Sequence, residues 1–147
     1  MIKWKVTTME KHYYTVEEAN ALLPQIKRQI MELRKAREEL ALMRLALVRK
    51  QKENKDGNSD DFFKEEAQIE FSLLTARQQI DHLLTLSIEV KDIDTGLVDF
   101  LTTINGEDAY LCWRDGEAKI SHWHGLTEGF AERKTLPGDP SSSAKKM

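Results

Sequence analysis

From Tyr14 to Leu86 the apolar residues recur in steps of three and four; after Leu86 they fall at every second position. The first spacing belongs to helices and the second to strands. In YTVEEAN, Thr15 stands as an N-cap, and Glu18 three residues later completes a capping box. A seam then runs through Ala19, Leu22, Ile26, Leu33, Ala36, Leu40, Met43 and Leu47, interrupted at Gln29, where Ile30 covers the gap. Pro24 lies inside this pattern and cannot donate to the Asn20 carbonyl, which predicts a kink or short break near Leu22–Leu23. The polar run KENKDGNSDD, Lys52 to Asp61, ends the helix, and Ser59 or Asp60 can cap the next. A second seam follows through Phe62, Ile69, Leu73, Ala76, Ile80 and Leu83, widened by Leu74 and Leu84. After an N-terminal segment 1–13, residues 14–86 are therefore predicted as a long antiparallel, coiled-coil-like helical hairpin. Each apolar stripe is wider than one partner helix can cover. A homodimer through the hairpin, or a sheet laid across it, would cover the excess.

Residues 87–136 carry the alternating pattern. IEVKDI, LVDFLTTI, EDAYLCWR and EAKISHW are predicted strands, separated by Asp94-Thr95-Gly96, Asn105-Gly106 and Asp115-Gly116. The fold class is thus α+β, with an antiparallel meander of three to four strands behind the hairpin. Two-residue turns set register, so facing pairs can be counted outward from them. Around Asn105-Gly106, Phe100 faces Leu111, Asp99 faces Cys112 and Val98 faces Trp113; around Asp115-Gly116, Trp113 faces Ala118, Leu111 faces Ile120 and Ala109 faces His122. One face then collects Val98, Phe100, Ile104, Ala109, Leu111, Trp113, Ala118 and Ile120, with His122 at its end, as the core side. The other collects Leu97, Asp99, Leu101, Tyr110, Cys112, Arg114, Lys119, Ser121 and Trp123.

That outer face holds the candidate chemistry. Asp99 and diagonally placed Arg114, rimmed by Tyr110, Leu101 and Trp123, can fix a polar ligand or a protein partner, or form a structural ion pair. Cys112 has no histidine beside it in this register, because His122 and His124 point to the opposite face, and it reads as an ordinary small thiol. The pair His122 and His124 has the spacing that places two imidazoles on one side of a strand. A divalent metal there needs a further ligand from Glu128, Glu117 or Asp92. GLTEGFAERKTL, with bends at Gly125 and Gly129, an anchor at Phe130 and a cation at Arg133, is expected to fold back over the sheet. PGDPSSSAKKM, residues 137–147, is expected to be disordered.

Composition narrows the classes. Across 147 residues, 32 % are charged and the formal net charge is only −3, which gives no electrostatic case for nucleic acid. Lone Cys112 can form no internal disulfide, no signal segment is visible, and no apolar run approaches a membrane span; a cytoplasmic protein is expected.

The order YTVEEANALLP, VKDIDTGLVDF and YLCWRDGE…WHG…EGFAERK closely resembles a prokaryotic family, domain of unknown function 2203, from Tyr14 to about Leu136. The matching motif residues are Gly96, Leu97, Asp99, Phe100, Leu111, Cys112, Trp113, Glu117, Trp123, His124, Gly129 and Arg133; Ser87 stands where the family usually has glycine. The resemblance implies a fold and a motif-rich meander, and no reaction. Taken together, the candidate binding residues are Asp99, Tyr110, Cys112, Arg114, Glu117, Trp123, His124 and Arg133, with His122 and His124 as candidate metal ligands. The leading expectation is a non-enzymatic homodimeric binding module without a cofactor; the alternative is a metal-binding protein or metal-assisted hydrolase built on the two histidines.

Overall fold

The computed structural model describes residues 10–54 and 62–137, so the proposed caps at Ser59 and Asp60 and the tail after Pro137 lie outside the described residues. Helix α1 spans Val16–Glu53 and α2 spans Phe63–Thr85; five strands follow, β1 Ile88–Asp92, β2 Leu97–Ile104, β3 Glu107–Arg114, β4 His122–Gly125 and β5 Lys134–Thr135. The capping box closes as its residues dictate. Thr15 Oγ1 accepts the Glu18 N–H at 3.0 Å, and the Thr15 N–H donates to Glu18 Oε1 at 3.0 Å.

Helix α1 runs unbroken through Pro24, so the expected break near Leu22–Leu23 does not occur. Proline inside a helix costs about 3 kcal/mol. Here Ala19, Leu23, Ile26 and Ile30 on the same face are almost fully buried, and that burial outweighs the loss. These residues also correct the seam. It passes through Leu23 and Ile30 rather than Leu22 and Gln29, and so needs no interruption. The two helices lie side by side, with Lys50 on Glu65 at one end and Gln79 on Glu32 further along.

The strands form one antiparallel sheet in the order β1-β2-β3-β4-β5. Asn105 (φ +53°) and Gly106 (φ +83°) make the tight turn between β2 and β3, and the pairs counted from it are those observed: Phe100 with Leu111, Asp99 with Cys112, Val98 with Trp113. One sheet face, with Ile88, Val98, Phe100, Leu111 and Trp113, packs with Ala19, Leu23, Ile26 and Ile30 of α1, Leu83 of α2, and Tyr14 into a single core.

Asp115-Gly116 does not act as a two-residue hairpin. Leu111 pairs with Trp123 and Cys112 with His122, where Ile120 and Lys119 had been expected, and β4 starts only at His122. Three bonds divert the chain. Glu117 Oε1 accepts the Arg114 N–H at 2.9 Å, the Trp113 indole donates to the Glu117 carbonyl at 3.0 Å, and Ile120 N–H donates to Asn20 Oδ1 of α1 at 2.7 Å. The loop is thereby lengthened and tied down onto the helix. Because the slip is odd, each β4 side chain changes face. Trp123 moves to the core side, and His122 and His124 join Cys112 on the outer side, reversing the expectation for all three.

Candidate functional site

The outer face is polar at its centre and closed to solvent. Asp99 on β2, Cys112 on β3 and His124 on β4 are 1 %, 0 % and 2 % exposed. His124 Nε2 lies 3.0 Å from Asp99 Oδ2, and the Cys112 sulfur, a ring nitrogen of His124 and a carboxylate oxygen of Asp99 all fall within 4.8 Å of one another. Tyr110 leans on the His124 ring, centroids 5.6 Å apart. Register explains the gathering. Asp99 faces Cys112 across β2–β3, and Tyr110, beside Cys112 on the same face, is paired with His124 across β3–β4.

Hydrogen bonding defines the protons. His124 Nδ1 lies 2.8 Å from the Gly125 carbonyl, which can only accept, so Nδ1 carries a hydrogen. Nε2 then faces a carboxyl oxygen, and one proton must sit between the two. The other carboxyl oxygen, Asp99 Oδ1, is buried without a hydrogen-bond partner. Burial pushes the Asp99 carboxyl above its usual range, against the pull of His124. Burial and then the neighbouring Asp99 push the Cys112 thiol up to about 12, so it is held protonated and is no nucleophile as it stands.

A second layer closes over Cys112. The Arg133 guanidinium makes a two-pronged pair with Glu117, Nη1 to Oε1 at 3.2 Å and Nη2 to Oε2 at 2.6 Å, and lies 4.1 Å from the Phe130 ring centroid. Burial alone would raise the Glu117 carboxyl, but the bonds from Arg133 and the Arg114 N–H outweigh it and hold it below its ordinary value. The C-terminal segment reaches this position by turning at Gly125, whose N–H donates to Glu128 Oε1 at 2.8 Å, and by adding β5 to the sheet edge beside β4. It thus extends the sheet as a fifth strand while bringing Arg133 over the outer face.

Of the sequence candidates, Asp99, Cys112 and His124 meet directly, Tyr110 lines them, and Glu117 and Arg133 cover them. Arg114 does not join Asp99: it is exposed, with its guanidinium 5.1 Å from the Phe130 centroid, because His124 has taken the place beside the carboxylate. Trp123 lies on the core side with Lys134 over its ring. His122 shares the outer face opposite Cys112 and its Nδ1 meets Ser121 Oγ at 3.0 Å; the gathered trio contains Asp99 and Cys112 in its place. The Asp99–His124 contact was beyond sequence reasoning, since its one signal is a glutamate that can bind the backbone of the preceding turn.

A pair of long helices carrying an antiparallel five-stranded meander, with an Asp–Cys–His cluster sealed beneath a Glu–Arg pair, defines the class of molecule. The chain belongs to the family described as "Uncharacterized conserved protein (DUF2203)", which it matches over residues 12–136. No curated protein and no solved structure matches it. Among the described residues, no helix is long and apolar enough to cross a membrane.

Proposed function

We propose that this protein is a non-enzymatic, homodimeric interaction module in which α2 of the helical hairpin pairs with α2 of a second copy. The observation that carries this reading is the imbalance of α2: of its 23 residues only Leu83 is buried, while Phe63 and Phe71 are 73 % and 70 % exposed and Leu74 also faces outward. At 3.6 residues per turn Phe63, Ala67, Phe71 and Leu74 lie within about a quarter-turn, on a stripe separate from Ile69, Ala76 and Ile80. A helix draws most of its stability from packing an apolar face, and α1 packs the other one. Charge complementarity selects a second copy as occupant. Glu70 and Arg77 flank the stripe on the same edge, so an antiparallel copy related by a two-fold axis sets each Glu70 beside Arg77 of the other chain.

The non-enzymatic part rests on the sheet. Its acid, thiol and imidazole are enclosed and the thiol is held protonated, so the accessible outer surface is the rim at Tyr110, beside a cleft lined by Leu84, Ser87, Glu89 and Leu101. Sedimentation of the full chain at micromolar concentration should give twice the chain mass. Phe71→Glu should give a monomer with unchanged far-ultraviolet circular dichroism, and E70R should weaken the dimer while E70R/R77E restores it. A wild-type chain that sediments as a monomer throughout overturns the proposal.

A further inference from the structure

We infer that Cys112, His124 and Asp99 form a structural binding site for a divalent ion of the zinc class, which ties β2, β3 and β4 together. The donor set, one thiolate, one imidazole and one carboxylate, suits zinc and not the all-oxygen preference of magnesium or calcium. The geometry has the required scale. A tetrahedral ion with bonds of about 2.0–2.3 Å keeps its ligand atoms roughly 3.3–3.8 Å apart. Here Nε2 and Oδ2 stand at 3.0 Å, and all three donors lie within 4.8 Å of one another.

Three further observations point to a cation. His124 donates its Nδ1 hydrogen to the Gly125 carbonyl at 2.8 Å, which turns the Nε2 lone pair toward Asp99. Metal-binding histidines are oriented in this way by their other nitrogen. The place between Nε2 and Oδ2 is therefore one that a single proton fills in the ion-free protein and that a metal ion can take over. Asp99 Oδ1, buried in the same place, has no close hydrogen-bond partner among the described residues, and the Cys112 thiol is the one other polar group set against that carboxyl besides His124. Such an orphan oxygen costs about 1–3 kcal/mol, more for a charged group, and an ion held by both carboxylate oxygens removes it. The charges also balance. A thiol and the proton-sharing Asp99–His124 pair are together neutral; a divalent ion that displaces those two protons leaves a thiolate, a carboxylate, an imidazole and the ion, neutral again. A neutral cluster is what a site with ligands at most 2 % exposed can hold without a large desolvation cost. Arg133, held over Cys112 by Glu117, is placed to donate to the thiolate once it forms. The three donors come from three neighbouring strands and are enclosed, so the ion's part is to brace the strands, with the fourth position of a tetrahedral ion left to a water molecule. It stands independently of the dimer.

The test uses untagged full-length protein, stripped with a chelator and titrated with cobalt(II). Cys112 is the chain's only cysteine, so a sulfur-to-cobalt charge-transfer band can arise from nowhere else. The expected result is a near-ultraviolet band that saturates at about one cobalt per chain, is abolished by about one equivalent of zinc, and is accompanied by a rise in Tm. C112S should lose the band and at least tenfold in zinc affinity. No band from folded wild-type protein overturns the site, whether or not C112S folds. So does zinc binding of unchanged affinity in folded C112S.

Discussion

Glu117 does three jobs with one side chain and its own carbonyl. It accepts the Arg114 N–H, receives the Trp113 indole hydrogen on its backbone, and grips Arg133 with both carboxylate oxygens. Its ion pair is mostly sheltered, with side-chain exposures of 13 % for Arg133 and 21 % for Glu117, so solvent screens it less than a surface pair. Glu117→Gln should therefore cost about 1–3 kcal/mol in a urea titration, since it leaves the guanidinium half-satisfied. The folded-state carboxyl is held below its ordinary value of about 4.3, so the folded chain keeps Glu117 ionised where the unfolded chain has begun to bind a proton. Its contribution is complete above that ordinary value and disappears as pH falls through the folded one. Melts of wild type and E117Q should thus show the full gap above that ordinary value and converge as the pH falls progressively below it; a constant gap would show that the pair is silent. At this scale the facing of Asp99 and Cys112 could be read from Asn105-Gly106. The nearness of His124 could not, because turn chemistry counts residues and does not foresee a side chain that stretches the loop.

The same contrast holds for whole elements. Alternating spacing located β1, β2 and β3, and three-four spacing located both helices, since these periods reflect which face meets the core; the alternation placed the fourth strand too early and missed β5. What escaped was the grip of one element on another. Arg34, midway along α1, donates Nε to the Ile93 carbonyl at 2.9 Å, Nη2 to the Asp94 carbonyl at 3.0 Å and Nη1 to Asp115 Oδ2 at 3.0 Å. One guanidinium thus clasps the β1–β2 and β3–β4 connections to the helix, in the fork geometry that lysine lacks. In sequence it is one of many charges on a helix face. Gly96 (φ +71°) is the counterpart: a Cβ there would stand 2.5 Å from Asp115 Cβ, so the same two turns touch backbone to side chain. Arg34→Ala should lower stability by about 2–3 kcal/mol, or Tm by roughly 5–10 °C, and Arg34→Lys should recover less than half. Equal Tm for all three proteins would show that packing alone holds the turns. Ser87 (φ +63°) takes the left-handed backbone that favours glycine, the residue the family resemblance led one to expect there, and its hydroxyl accepts the His12 N–H at 2.9 Å.

For the whole molecule, the two proposed devices sit on separate parts. The apolar stripe of α2 lies on the helices, and the Asp99–Cys112–His124 trio lies on the sheet face turned away from them, with the core between. Neither shares a partner with the other, so their contributions to stability should add to within about 0.5 kcal/mol. Dimerisation stabilises by mass action and makes Tm rise with protein concentration, whereas an ion bound within one chain makes Tm depend on metal concentration only. Phe71→Glu should therefore remove the concentration dependence and leave the zinc-induced rise in Tm intact, while C112S should do the reverse. Differential scanning calorimetry of the wild type, the two single variants and the double variant, each at two protein concentrations with and without zinc, separates the terms. A zinc response that vanishes in a folded F71E monomer would mean that the sheet cluster is completed only in the dimer, and the two parts would then have to be treated as one.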